Sequence, residues 1–441
     1  MSLNQNKPAR TVAIRSIGCR TNEEEMAALE YALDRAGFSV SPAIGRADIV
    51  IVNSCSVTSH TEAKVRQLLA SIGRAAPDAR ILVTGCMAEH QGDGLLRLPH
   101  VSWVVGNGLK HEIASILKKE NGGAFFSAIT RATVLPLEQV DPSPYRHRRT
   151  RFSVKIQEGC DNGCAYCIVP RLRGPSRCAP ENGIVSVCTR AIEAGFKEIV
   201  LTGTHIGQYR SSGSRRLVNL LERLIDLPGD FRVRLSSLDP RELSDELLHL
   251  MGNSPKVCDH LHVSLQHLSE KVLAAMDRPC RDLDALLERL AAFRARSPHA
   301  GLGADFIVGF PGETGEDFEE LLHRIKPVGF SYAHIFRFSP RPGTKAAAMS
   351  GVVTESVKTE RSERLRALIE RQRQEFIRGQ QGSAQRIIVE KERPVRGVTA
   401  NYLAVEIPSI SALHNTWLDV IIDGPGPGRW CVARPMSERN E

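Results

Sequence analysis

The chain has 441 residues, of which 42% are apolar and 24% charged, and its formal net charge is +8. That composition describes a soluble globular protein of roughly two to four domains, and no apolar run approaches the ~20 residues needed to span a bilayer. The N-terminus, MSLNQNKPARTVAI, lacks the apolar stretch of a signal peptide, so eleven cysteines point to a reducing, cytoplasmic setting and to metal binding rather than disulfides.

In chain order, TVAIRSIG (11–18) reads as a strand. Asn22 is placed to cap a helix whose first turn holds Glu23, Glu24 and Glu25; Met26, Leu29 and Leu33 give its apolar stripe, and Gly37 ends it. DIVIVNS (48–54) is a continuous apolar strand, Val65, Leu68, Leu69 and Ile72 mark the next helix, and ARILVTG (79–85) and SWVVG (102–106) are further strands. This alternation predicts an α/β domain with a parallel sheet. One cysteine follows each of the first three strands: Cys19, Cys55 and Cys86. Ligands bind beyond the carboxyl ends of strands in open parallel sheets, so three strand ends aim three thiols at one crevice. A free cysteine is commonly just a small buried apolar residue, but three equivalent positions favour a cluster with three thiolate ligands.

PYRHRRTRFSVK (144–155) gathers Arg146, Arg148, Arg149, Arg151 and Lys155 around His147, and Arg171, Arg173 and Arg177 follow shortly after. Such a concentration can hold phosphates or can be a solvated linker. Between the two basic groups stand Cys160, Cys164 and Cys167, a C-x3-C-x2-C run after a strand-like stretch. Three thiolates at this spacing can hold three irons of a cubane cluster and leave the fourth without a protein ligand. A zinc knuckle or a ferredoxin run would carry a fourth ligand. From 150 to 340 the strands RFSVKIQ, KEIVLTG, FRVRLSS, HLHVSL, LGADFIVGF and SYAHIFRFS alternate with helices, one of them at 180–194. Six such units predict a partial, open (βα)6 barrel with its active site at the strand C-termini. A charged helix at 355–378 buries Leu365, Leu368, Ile369 and Phe376. RIIVEKE, LAVEIPS and WLDVIID, separated by turns such as DGPGPG (423–428), then predict a small β-barrel.

The cysteine run resembles that of the radical S-adenosylmethionine (SAM) enzymes, and the whole chain resembles the methylthiotransferases. IGCRTN, NSCSVT and TGCMAE match the family's N-terminal cysteine domain, IQEGCDNGCAYCIVP with RGPSR its radical SAM core, and GVTANYLAV (397–405) its RNA-binding TRAM barrel. The resemblance implies domains at 1–140, 141–378 and 379–441. NSCSVT, in place of an NTCAIR-like form, together with GTHIGQY, RLSSLDP and HIFRFSPRPGTKAA, is most similar to the tRNA branch acting on N6-threonylcarbamoyladenosine beside the anticodon. It implies SAM binding by Gly203, Thr204 and His205, by Ser236 and Ser237, and by the backbone around Phe338. The glycine also suits a turn, and the serines also suit a helix cap. Two residues depart from the family pattern. SLQHLSE (264–270) puts His267 and Leu268 where a Ser-Gly pair is usual, and Cys178 stands where Ser is usual. His267 is expected to pack or hydrogen-bond, and Cys178 not to ligate.

Replacing C2–H of an adenine by C2–S–CH3 is difficult polar chemistry, because that hydrogen is barely acidic, so a cofactor must carry it. The resemblance implies two [4Fe–4S] clusters and two SAM molecules. One SAM methylates sulfur at the open iron of the cluster on Cys19, Cys55 and Cys86. The other is cleaved at the cluster on Cys160, Cys164 and Cys167 to give the radical that attacks C2. The partners implied are a tRNA anticodon stem-loop, gripped by Arg146, Arg148, Arg149, Arg171 and Arg173 and by the C-terminal barrel, with an electron donor and a sulfur donor. Isopentenyladenosine in tRNA, a ribosomal-protein aspartate, or a non-catalytic iron–sulfur RNA-binding role are the alternatives.

Overall fold

The computed structural model describes residues 10–18, 20–56, 58–131, 137, 141–143, 149–211, 216–278, 280, 282–408 and 410–436. Two compact units result. The first comprises residues 1–140, 158–162 and 167–177; the second comprises 141–157, 163–166 and 178–441.

The first unit is built on β1 (Thr11–Ser16), α1 (Arg20–Arg35), β2 (Ser39–Val40), β3 (Ile49–Ser54), α2 (Ser59–Ala75), β4 (Arg80–Gly85), α3 (Cys86–Gln91), β5 (Val101–Val105), α4 (Ile113–Lys119) and β6 (Gly123–Phe125). The sheet order is β2-β1-β3-β4-β5-β6 with every pairing parallel. β3 alternates between two cores. Val50 and Val52 pack with Val65, Leu69 and Ile72 of α2, and Ile49 and Ile51 pack with Met26, Leu29 and Leu33 of α1. A strand covered on both faces reads as an unbroken apolar run, which is why DIVIVNS was legible. β2 and β6 are too short to show a period. The helix also begins earlier than the sequence suggests, at Arg20, so Asn22 lies inside its first turn and not at the cap. Its amide instead donates to Ile17 O (3.2 Å) and Ser54 O (3.3 Å).

After β7 (Arg151–Glu158), α5 (Val169–Arg173) and the two-residue β8 (Arg177–Cys178), the second unit continues through α6 (Glu181–Glu193), β9 (Glu198–Gly203), α7 (Leu217–Ile225), β10 (Arg232–Leu235), α8 (Asp245–Asn253), β11 (His260–Gln266), α9 (Glu270–Ala275), α10 (Leu283–Arg296), β12 (Gly301–Val308), α11 (Gly315–Ile325) and β13 (Tyr332–Arg337). β7, β9 and β10 pair in parallel, as do β11, β12 and β13. Isolated parallel bridges at Val233–Val257 and Leu238–Val263 join the two groups. The six long strands are the six expected of a half-barrel.

The helix α12 (Glu355–Gly379) buries Leu365, Leu368, Ile369 and Phe376 and leads into β14 (Ala384–Glu392), β15 (Val395–Val398), β16 (Ala404–Ile407), β17 (Trp417–Pro425) and β18 (Cys431–Pro435), which close a barrel in the order β14-β15-β16-β18-β17. β17 runs on through Asp423 to Pro425, so the turn is shorter than DGPGPG implied.

The C-terminal barrel is docked on the amino ends of the half-barrel strands. Glu198 of β9, fully buried, accepts from Arg232 Nε (2.6 Å) and from Arg234 Nε (2.7 Å) and Nη2 (2.9 Å). The same guanidiniums donate to the end of β15 and the loop that follows: Arg232 to Val398 O (2.8 Å), and Arg234 to Thr399 O (2.9 Å) and Ala400 O (2.8 Å). Burial alone would raise the Glu198 carboxyl, but the two arginines hold it far below the ordinary range. Asn401 Nδ2 donates to His299 O (2.7 Å), and the Tyr402 ring lies 4.6 Å from that of His260. No helix among the described residues is long and apolar enough to cross a membrane.

Candidate active site

In the first unit the loops after β1, β3 and β4 meet at the carboxyl edge of the sheet, because those strands are neighbours. Cys55 directly follows β3 and Cys86 opens α3; both are buried. Gly18 sits so close that a Cβ there would come within 2.9 Å of Cys55 Cβ, and its φ of +148° is one that other residues avoid. Gly85, at φ +93°, presses against the Ser54 backbone in the same way. Cys19 lies outside the described residues. Soft thiols brought to one loop edge are a donor set that fits an iron–sulfur centre. Cys86 packs against Ile168 and Leu172, which belong to the same unit.

Arg173 closes this edge. Its guanidinium donates to Glu25 Oε1 (2.7 Å), Glu158 Oε1 (2.8 Å) and Asn22 Oδ1 (2.8 Å). Lys110 adds a bond to Glu25 (2.5 Å) and Arg177 one to Glu158 (3.0 Å). Charges this deeply buried persist only when paired and hydrogen-bonded.

Cys160, Cys164 and Cys167 are half-buried on the loop between β7 and α5. Gly159, at φ +77°, packs against Pro175 with no room for a Cβ, and Cys160 N–H donates to Gly174 O (3.2 Å). Asn162 N–H points at Cys160 Sγ (3.4 Å). In the second unit Arg278 Nη1 lies 3.5 Å from Cys164 Sγ, and its Nη2 is held by Asp239 Oδ2 and Ser264 O, both at 2.8 Å. Burial would raise the Asp239 carboxyl, but the Arg241 hydrogen bond and the Arg278 charge hold it down to about 2. Soft thiols at the C-x3-C-x2-C spacing are a donor set that fits a cluster.

Beyond β9 and β10 lie the residues expected to hold SAM. Gly203 passes so close to Gln157 that a Cβ would be 2.5 Å from its carbonyl oxygen. Gln157 Oε1 accepts from His205 N–H (2.7 Å), and His205 Nε2 is 3.4 Å from Glu242 Oε1. Thr204 Oγ1 and Ser236 Oγ are buried without a hydrogen-bond partner among the described residues, while Ser237 is exposed. Two unpartnered hydroxyls at adjacent strand ends fit a polar ligand such as SAM. Phe338 N–H is already taken by Val308 O (2.9 Å), and its ring packs edge-on against Phe310.

Residues 154–325 match the model of the radical SAM superfamily, and residues 11–106 that of the uncharacterized protein family UPF0004. The threonylcarbamoyladenosine tRNA methylthiotransferase MtaB of Thermotoga maritima is 37% identical over 353 residues, 80% of each chain. The enzyme of the same name from Bacillus subtilis is 34% identical over 413 residues, 90% of each chain. The chain belongs to the radical SAM methylthiotransferase family. A radical SAM methyltransferase of known structure, TsrM from Kitasatospora setae, shares the fold at a TM-score of 0.56 and 15% identity, over 77% of each chain.

Other residues of this methylthiotransferase fall out as follows. Arg171 is exposed on α5 and Arg149 is half-buried; Arg146 and Arg148 lie outside the described residues. Arg173, expected among the RNA contacts, is only 3% exposed and committed to Glu25, Glu158 and Asn22, so its place is internal. His267 is fully buried, accepts from Ser269 N–H (2.9 Å), and is held down to about 3 by burial. Cys178 is engaged with Gln208 O (3.6 Å) and Arg210 N–H (3.3 Å). Arg278 and Asp239 escaped the sequence reading. Arg278 and Cys164 are 114 residues apart, and no local spacing connects them.

Proposed function

We propose that the protein converts N6-threonylcarbamoyladenosine at tRNA position 37 to its 2-methylthio derivative, using SAM as methyl donor and radical source. What supports this above all is the joint presence of an N-terminal three-cysteine set and a radical SAM loop in a chain matched over 80–90% of its length by relatives that bear this activity in their names. In this reading Cys160, Cys164 and Cys167 hold one [4Fe–4S] cluster, and Cys19, Cys55 and Cys86 hold a second. When bound, the clusters and SAM supply one-electron chemistry, a methyl group and a carrier for sulfur, none of which a side chain here offers.

The chain's own residues bind and orient. Thr204 and Ser236 offer hydroxyls to SAM, His205 is set by Gln157, and Phe338 contributes an apolar wall. Arg278, fixed by Asp239, keeps a positive charge against Cys164. The target base has to leave the stacked anticodon loop to be reached. Arg171, exposed on α5, is offered to phosphates in this reading, together with Arg146, Arg148 and Arg149 earlier in the sequence. An electron donor and a sulfur donor complete the partners.

The test offers two anticodon stem-loops to reconstituted enzyme under anaerobic, reducing conditions, one bearing threonylcarbamoyladenosine and one isopentenyladenosine. A site that pairs the threonyl carboxylate leaves buried polar groups unsatisfied by the alkene. Mass spectrometry of the nucleosides is expected to show methylthiolation of the first substrate only. Preference for the second, or activity only on a ribosomal-protein peptide, overturns the assignment.

A further inference from the structure

A further group of metal-ligating side chains lies within the half-barrel, on residues that neither cysteine set involves. His262, Asp305 and His334 come from three adjacent strands, β11, β12 and β13, and one ligand atom of each lies within 4.8 Å of the others. Asp305 and His334 are direct register partners. All three project from the face opposite the buried Leu261, Val263, Leu302, Ala304 and Phe306.

The inner geometry is specific. His262 Nε2 and His334 Nδ1 each lie 3.1 Å from the same oxygen, Asp305 Oδ1. The outward atoms are already engaged. Asp305 Oδ2 accepts from Ser264 Oγ (3.0 Å), and His262 Nδ1 lies 2.8 Å from Tyr332 Oη. That hydroxyl is also 2.8 Å from His260 Nε2. It has one proton, so it donates to one histidine and accepts from the other. When it donates to His262, that ring carries its proton on Nε2, facing Asp305 Oδ1; when it donates to His260, His262 donates from Nδ1–H to Tyr332 Oη and keeps a lone pair on Nε2. That lone pair then faces a carboxylate oxygen, a repulsive arrangement unless a cation stands between them. The same Nε2 is buried and has no aligned hydrogen-bond partner among the described residues, and His262 is only 5% exposed. Histidine ligands oriented by a hydrogen bond at the far ring nitrogen, and a carboxylate steadied by a hydroxyl, are what bound metals ordinarily require.

We propose that His262, Asp305 and His334 bind a divalent transition metal of the zinc class. Two imidazoles and one carboxylate oxygen make three of four tetrahedral ligands and leave a position for an oxygen donor. His334, whose side chain is 58% exposed, gives the ion a way in.

The experiment uses the full-length, cluster-reconstituted protein, dialysed against a chelator and then equilibrated with Zn²⁺. One zinc per chain is expected beyond the iron. Zinc-edge X-ray absorption should show nitrogen and oxygen neighbours at about 2.0–2.2 Å and no sulfur at about 2.3 Å. His334→Ala and Asp305→Asn should each weaken zinc binding by about 100-fold or more, and Ser264→Ala, which removes only the hydroxyl behind the carboxylate, by about 10-fold. Iron content checks that each variant is folded. Absence of a retained zinc in the unaltered protein, a sulfur-containing shell, or unchanged affinity in the folded variants overturns the site.

Discussion

Glu198 at the amino end of β9 and the hydroxyls of Thr204 and Ser236 past the carboxyl ends of β9 and β10 are all buried polar groups, and they are met in opposite ways. At the amino ends of the strands, Glu198 is fully buried and fully compensated, with two arginines on its oxygens and loop carbonyls on theirs. At the carboxyl ends, Thr204 Oγ1 and Ser236 Oγ are buried and have no partner among the described residues. A buried unpartnered hydroxyl costs about 1–3 kcal/mol, which a fold retains only where something else makes use of it. The contrast separates residues that hold the molecule together from residues that wait for a ligand, although both kinds are polar and buried.

The largest expected effect lies at the compensated end. Glu198→Ala strands two guanidiniums in the interior and should cost about 3–5 kcal/mol in denaturant unfolding; a loss below about 1 kcal/mol would erase the contrast. Because the folded carboxyl titrates below its unfolded value of about 4.3, its contribution is complete above that pH and declines only as pH falls further. The advantage of the unaltered protein over the variant should therefore be flat from pH 5 to 8, on the order of the full effect, and shrink in acid.

Ser236→Ala and Thr204→Val should do the reverse. Each removes a buried group with no partner, so stability should hold or rise, by up to about 1–3 kcal/mol. Affinity for SAM, read by equilibrium dialysis, should fall about 5- to 10-fold, as for one lost hydrogen bond. A destabilised protein with unchanged SAM affinity would mean these hydroxyls are structural after all. The smallest effect is expected at Arg171→Ala. Its exposed side chain should leave stability unchanged within about 0.5 kcal/mol, while the salt dependence of tRNA binding flattens by about 0.7–0.9 log units if it meets one phosphate.

How legible all this was depended on the range of the interactions. DIVIVNS and the six half-barrel strands could be read because burial on both faces, or a regular alternation with helices, prints itself on neighbouring residues. That Cys55 and Cys86 stand directly after β3 and β4 could be read for the same reason, since a loop after a strand end is a local feature. β15 could not, because VRGV carries a glycine and only four residues. Arg173 looked like its exposed neighbour Arg171, yet one pairs with a glutamate 148 positions away and the other does not. No window of sequence distinguishes two arginines on one short helix when the partner is that distant. The strand positions of His262, Asp305 and His334 were equally silent, because each looks like an isolated polar residue until the parallel register aligns them.

The docked C-terminal barrel has a practical consequence. Its signature loop, GVTANYLAV, is the part that supplies Thr399, Ala400, Asn401 and Tyr402 to the base of the half-barrel. Cutting the chain at residue 379 would therefore uncork the half-barrel and take carbonyl partners away from Arg232 and Arg234. A truncated protein that failed to bind tRNA would report a leaking base as readily as a missing RNA grip. Exchanging this barrel between relatives calls for moving the loop and its two receiving arginines as one piece, the plug together with its socket.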